Sequence, residues 1–86
     1  MPILATFFGI VVRIFHDDHN PPHIHVEYAE YEAIIEIKTG KMLEGKLPSR
    51  AKKLLEEWRK LHVREMEKAW VDAKANKMPG RIAPLE

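Results

Sequence analysis

Three imidazoles stand within seven residues, at His19, His23 and His25, separated by Asn20-Pro21-Pro22 and by Ile24. Such clustering is costly without a use, because neighbouring rings repel when protonated, whereas neutral rings readily share one metal ion or one proton. On an extended strand alternate residues project to one side with Cα atoms roughly 6.5 to 7 Å apart. His23 and His25 could therefore converge on one ion, with His19, Asp18, Glu27 and Glu36 as candidates for the remaining positions. A His-X-His pair completed by a carboxylate or a third histidine is the general form of a catalytic zinc or other divalent-metal site. Without metal, the same rings could act as acid and base in a small ribonuclease-like hydrolase. Arg13 or a lysine is then the candidate for stabilising charge on the phosphodiester. In a third reading the histidines shape a contact surface, because Val11, Phe15 and Ile34 share their face and offer a partner protein apolar anchors. That binding module is the broadest reading and comes first; the hydrolase is its alternative.

The elements that must position these residues are legible from periodicity. Ile10, Val12 and Ile14 alternate with Val11, Arg13 and Phe15, predicting a strand over residues 9–15. Asn20 is pushed out of the α region by the following proline, and Pro21 and Pro22 fix their own φ, so the chain reaches His23 already extended. A second strand runs from His23 to Tyr28 and a third from about Glu32 to Lys38. Folding them about Ala29 and Glu30 pairs Ile24 with Ile35 and Val26 with Ala33 on one side. The other side then pairs His23 with Glu36, His25 with Ile34, and Glu27 with Glu32. Two glutamates directly opposite each other are a misfit that calls for a nearby cation or basic surface.

Thr39-Gly40 predicts a tight turn into a short fourth strand at Met42 and Leu43, and Pro48 suits the first turn of a helix. Beyond it Ala51, Leu54, Leu55, Trp58, Leu61, Met66, Ala69, Trp70 and Ala73 recur at helical spacing over residues 49–75, as one long helix or two joined near His62. Trp58 and Trp70 lie on that stripe and are expected to pack on the sheet. His62, on the same stripe, reads as a satisfied core histidine, and His16, beside Asp17 and Asp18, as a locally solvated one. Residues 77–86 cannot continue the helix; they form an extended tail that Ile82 and Leu85 could dock. The expected architecture is α+β: an antiparallel three- to four-stranded meander followed by a C-terminal helical segment packed on one face.

Eighty-six residues with 45% hydrophobic and 31% charged side chains make one domain, residues 1–86, of ordinary globular composition. No apolar run approaches the roughly 20 residues a bilayer demands. The first residues lack the basic and apolar regions of a secretory signal, and there is no cysteine, which together fit a reducing cytoplasm. The net charge of +1 hides a segregation. Residues 1–37 set Arg13 against six acids, a net of −5, and residues 38–86 set 13 bases against seven acids, a net of +6. Lys41, Lys46, Arg50, Lys52 and Lys53 crowd one stretch of the basic part, where they could meet nucleic-acid phosphates or an acidic protein.

Met1-Pro2, Phe8-Gly9-Ile10, Asp18-His19-Asn20-Pro21-Pro22-His23-Ile24-His25, Glu44-Gly45-Lys46-Leu47-Pro48 and the closing Pro84-Leu85 carry a resemblance over nearly the whole chain. In these segments the chain resembles a family of short bacterial and archaeal proteins, domain of unknown function number four thousand one hundred and sixty. The most specific part falls on His19, Pro21, Pro22, His23 and His25. The resemblance implies no activity. It does imply a partner, a second small protein encoded beside it as in a toxin and antitoxin pair, with this chain as either the neutralising component or a toxic ribonuclease.

Overall fold

The computed structural model describes residues 3–15 and 19–86. Five strands, β1 (Ile3–Phe7), β2 (Ile10–Arg13), β3 (His23–Tyr28), β4 (Tyr31–Glu36) and β5 (Met42–Gly45), form one antiparallel sheet in the order β1-β2-β3-β4-β5. Two helices follow, α1 (Ser49–Leu61) and α2 (Val63–Lys74). The meander thus has five strands rather than the three or four expected, and the additional one is β1. Its pairing with β2 shifts register between Ile3 and Ala5, so Leu4 and Ala5 are both buried. A bulge of this kind breaks the two-residue alternation by which a strand is recognised.

Two-residue turns close the β1–β2 and β3–β4 hairpins. Phe7 pairs with Ile10 across Phe8 and Gly9, whose φ angles of 48° and 82° are those of a primed turn matched to the twist of the strands. Tyr28 pairs with Tyr31 across Ala29 and Glu30, with Ala29 at φ 54°. The β3–β4 register has Ile24 opposite Ile35, His25 opposite Ile34 and Glu27 opposite Glu32, the pairing that alternation predicts.

Ile10, Val12, Ile24, Val26, Ala33 and Ile35 all lie on one side and are at most 4% exposed. Ala51, Leu55 and Trp58 of α1 and Met66, Ala69 and Trp70 of α2 complete that core. The helices are separate: His62, at φ −126° and ψ 22°, interrupts the ladder between them. Its ring lies 5.3 Å from that of Trp58, and its Nδ1 donates to Glu65 Oε1 at 2.5 Å. The tail docks as expected, with Ile82 N–H donating to Leu4 O at 2.8 Å and Trp58 Nε1 donating to Ala83 O at 2.8 Å.

Arg59 anchors α1 to the end of β4. Its Nη1 donates to the carbonyls of Ile37 (2.8 Å) and Lys38 (3.3 Å), while Nε and Nη2 grip both carboxylate oxygens of Glu56. The charged hydrogen bond from Arg59, together with its field and that of Lys60, holds the Glu56 carboxyl below its ordinary 4.5 despite a smaller opposing effect of burial. A carboxyl depressed by folding contributes its full stability above the unfolded value and loses it as pH falls from about 4.5 through the lower folded-state value. Melting temperature is therefore expected to decline more between pH 5 and pH 3 in the wild type than in Glu56→Gln, roughly spanning that titration. Parallel pH profiles for the two proteins would deny the pair this role.

Candidate functional site

Because residues directly opposite on antiparallel strands share a face, the register reconstructs the side of the sheet that the helices leave uncovered. One row runs Thr6, Val11, Glu27, Glu32 across β1 to β4, the next Arg13, His25, Ile34, Glu44 across β2 to β5, and the last pairs His23 with Glu36. Both of the first two rows are partly or fully exposed. Arg13 Nε lies 3.3 Å from Glu27 Oε1, a diagonal contact that answers part of the Glu27–Glu32 misfit from within the chain. Being half-exposed, this pair is worth no more than about 1 kcal/mol.

His23 and His25 do share a side, with ring centroids 5.3 Å apart and Ile24 fully buried on the other. They are not equivalent. His25 is partly exposed and meets the Phe15 ring edge-on at 4.2 Å. His23 is only 9% exposed, with its ring 5.2 Å from that of Trp70 on α2. Its Nδ1 lies 2.8 Å from Pro21 O; since a carbonyl only accepts, this nitrogen carries the proton. The expectation that both rings shape a contact surface is thus corrected in degree for His23, which is largely buried against Trp70 of α2 at the end of the sheet and reaches the groove only by its edge. There it fastens the Pro21-Pro22 turn, whose Pro22 O also accepts from Ile37 N–H at 3.1 Å.

His19 is exposed and lines a shallow groove of about 290 Å³ with Pro21, His23, His25, Ile34, Leu43 and Glu44, so the three clustered imidazoles border one groove. A second groove, also about 290 Å³, continues from it along the sheet between Phe15, His25, Glu27, Glu32, Ile34 and Glu44. His25, Ile34 and Glu44 belong to both, so the two form one trough. Among the described residues no group of three His, Asp or Glu side chains stands close enough to hold a metal. Asp18, with His16 and Asp17, lies outside the described residues. Glu36 is engaged by the Thr39 hydroxyl, and Arg13 by Glu27.

The trough therefore has an apolar floor, from Phe15, Ile34 and the edge of His25, and carboxylates on its walls. Among the described residues neither Glu32 nor Glu44 forms an ion pair. Glu32 is marked in the sequence by its misfit with Glu27, whereas Glu44 is not singled out for this face. Alternation alone would not have placed Glu44, because the β4–β5 register shifts between Ile34 and Ile35: unbroken pairing from Ile35 and Met42 would set Leu43 opposite Ile34.

Among the described residues no helix is long and apolar enough to cross a membrane. Comparison with curated proteins and with solved structures finds no match to this chain. A family model does match, over residues 9–71, taking in β2 to β5, α1, most of α2 and the whole histidine segment, and the chain accordingly belongs to the family described as Domain of unknown function (DUF4160).

Proposed function

We propose that the chain is a binding module that receives a basic, partly apolar segment of a partner protein on the uncovered face of its sheet. The observation that carries this reading is the trough itself, in which Phe15 and Ile34 form a floor between the carboxylates of Glu27, Glu32 and Glu44. A side chain such as leucine or phenylalanine would displace water from that floor. Flanking lysines or arginines would meet the acidic walls, steering association and setting its orientation. The second small protein of a two-gene pair is the partner to test first.

The test is co-expression and co-purification, followed by an affinity measurement with paired variants. Ile34→Asp and the double substitution Glu32→Lys/Glu44→Lys are each expected to weaken association at least tenfold, about 1.4 kcal/mol. Glu57→Lys/Glu67→Lys, which makes the same charge change on the helices, is expected to leave it intact. Failure of the two proteins to associate, or equal losses from sheet and helix variants, would remove this reading.

A further inference from the structure

A second charged surface lies at the β5–α1 end and owes nothing to the trough. Lys41 follows the turn after β4, Lys46 lies in the β5–α1 connection, and Arg50, Lys52 and Lys53 occupy the first turns of α1. All five are exposed, and none forms an ion pair among the described residues. A groove of about 380 Å³ runs between β5 and α1, with Lys52 and Lys53 on one wall and Gly40 and Met42 on the other. The helix cations therefore stand across from the turn that carries Lys41. Nearby acids do not pair with them among the described residues: register places Glu44 on the sheet face opposite Ile34, Arg59 grips Glu56, and Glu57, one turn beyond Lys53, forms no ion pair.

Stability alone does not favour this arrangement. The first turn of α1 holds no acid, and three cations crowd the positive end of its dipole, where Asp or Glu would be preferred. The first turn of α2, by contrast, sets Glu65 beside Arg64. Four of the five ridge cations are lysines, point charges suited to phosphates rather than to forked recognition of base edges. Residues 38–57 include no aromatic side chain or histidine, so the ridge has no platform on which unpaired bases could stack.

We infer that the ridge formed by Lys41, Lys46, Arg50, Lys52 and Lys53 binds the phosphate backbone of double-stranded nucleic acid without reading its sequence. Fluorescence anisotropy of the full chain with short labelled duplexes, one DNA and one RNA, tests this across a salt series. With each cation neutralising one phosphate, log K should fall with log salt at a slope of about −4.5, roughly a 500-fold loss between 50 and 200 mM. The variant Arg50→Glu/Lys52→Glu/Lys53→Glu should cut the slope to about −2 and weaken binding at least a hundredfold at low salt. Its melting temperature should hold or rise, because the new acids suit the start of the helix. A control with equal charge change elsewhere, Lys60→Glu/Arg64→Glu/Lys77→Glu, should retain most of the affinity. Absence of duplex binding at 50 mM salt, binding insensitive to salt, or equal losses in both variants would overturn the inference.

Discussion

Trp58→Ala is expected to cost about 3 to 5 kcal/mol, the usual range for removing a large aromatic from a core. A chain of this length has only about 4 to 13 kcal/mol of total stability. The variant should therefore melt far below the wild type or fail to fold cooperatively. The side chain is wholly buried, its ring lies 5.2 Å from that of Phe7 on β1, and its Nε1 donates to Ala83 O. One residue thus ties α1 to the first strand and to the tail. Trp58→Phe separates these ties: it keeps most of the apolar volume but loses the indole donor, leaving the Ala83 carbonyl to find water at a cost of about 1 kcal/mol. In that variant the Ile82 amide, bonded to Leu4 O, should exchange with solvent faster while amides of β2 and β3 keep their protection. Equal acceleration in all three places would mean that the tail is not a separate unit. A loss in Trp58→Ala below about 1.5 kcal/mol would contradict the packing described here.

What could be read from the chain depended on whether local pattern was enough. Between β3 and β4 it was, because Ile24 and Val26 alternate with polar neighbours and only one short turn keeps them on the side of Ala33 and Ile35. In β1 it was not: consecutive inward side chains at Leu4 and Ala5 make five residues look like a short apolar run rather than a strand. The apolar stripe of the helices passes through His62 without interruption, so periodicity allowed one helix or two. The break is what lets α2 take its own course and bring Trp70 against His23. That contact, which turns an expected surface imidazole into a buried one, joins positions 47 residues apart and leaves no local trace. Arg59 was illegible for the same reason, since its carbonyl partners at Ile37 and Lys38 lie in the turn after β4, 22 and 21 residues away.

The charge segregation also acquires a spatial meaning. Glu27 and Glu32 face outward from β3 and β4 along the trough, while Lys52 and Lys53 line the groove at the other side of β5. β5 is the boundary, contributing Glu44 to one surface and flanked by Lys41 and Lys46 of the other. It is also protected against pairing with a further strand. It is four residues long, its register with β4 shifts between Ile34 and Ile35, and a lysine stands at each end. Partners are therefore expected on the faces beside this strand rather than along its edge.

Gly45→Ala should disable that boundary. Gly45 has φ +82°, and an added Cβ would stand 2.1 Å from Glu32 O and 2.8 Å from Ala33 Cα. Both are backbone atoms of β4, which no rotamer change can move aside. The left-handed conformation costs an L residue about 1 to 2 kcal/mol, and separating β5 from β4 forfeits hydrogen bonds worth about 0.5 to 1.5 kcal/mol each. A total near 3 kcal/mol follows, with the loss concentrated at one edge of the sheet. Gly40→Ala offers the comparison, because its Cβ would meet Arg59 Nε at 2.6 Å and Glu56 Oε2 at 2.7 Å, the ends of side chains that can shift. It should cost less than Gly45→Ala while weakening the Arg59–Glu56 grip. Denaturant unfolding gives the ranking, and amide exchange gives the location: the Glu36 N–H, which donates to Lys41 O on the β5 side, should lose protection while the Ile37 N–H, which donates to Pro22 O, keeps it. Binding distinguishes a local from a global effect: with Glu44 no longer held opposite Ile34, affinity for a basic partner at the trough should fall at least tenfold even where most of the protein remains folded. A Gly45→Ala protein with wild-type stability and unchanged β4 protection would show that β5 does not pair as described, and the acidic wall built on Glu44 would fall with it.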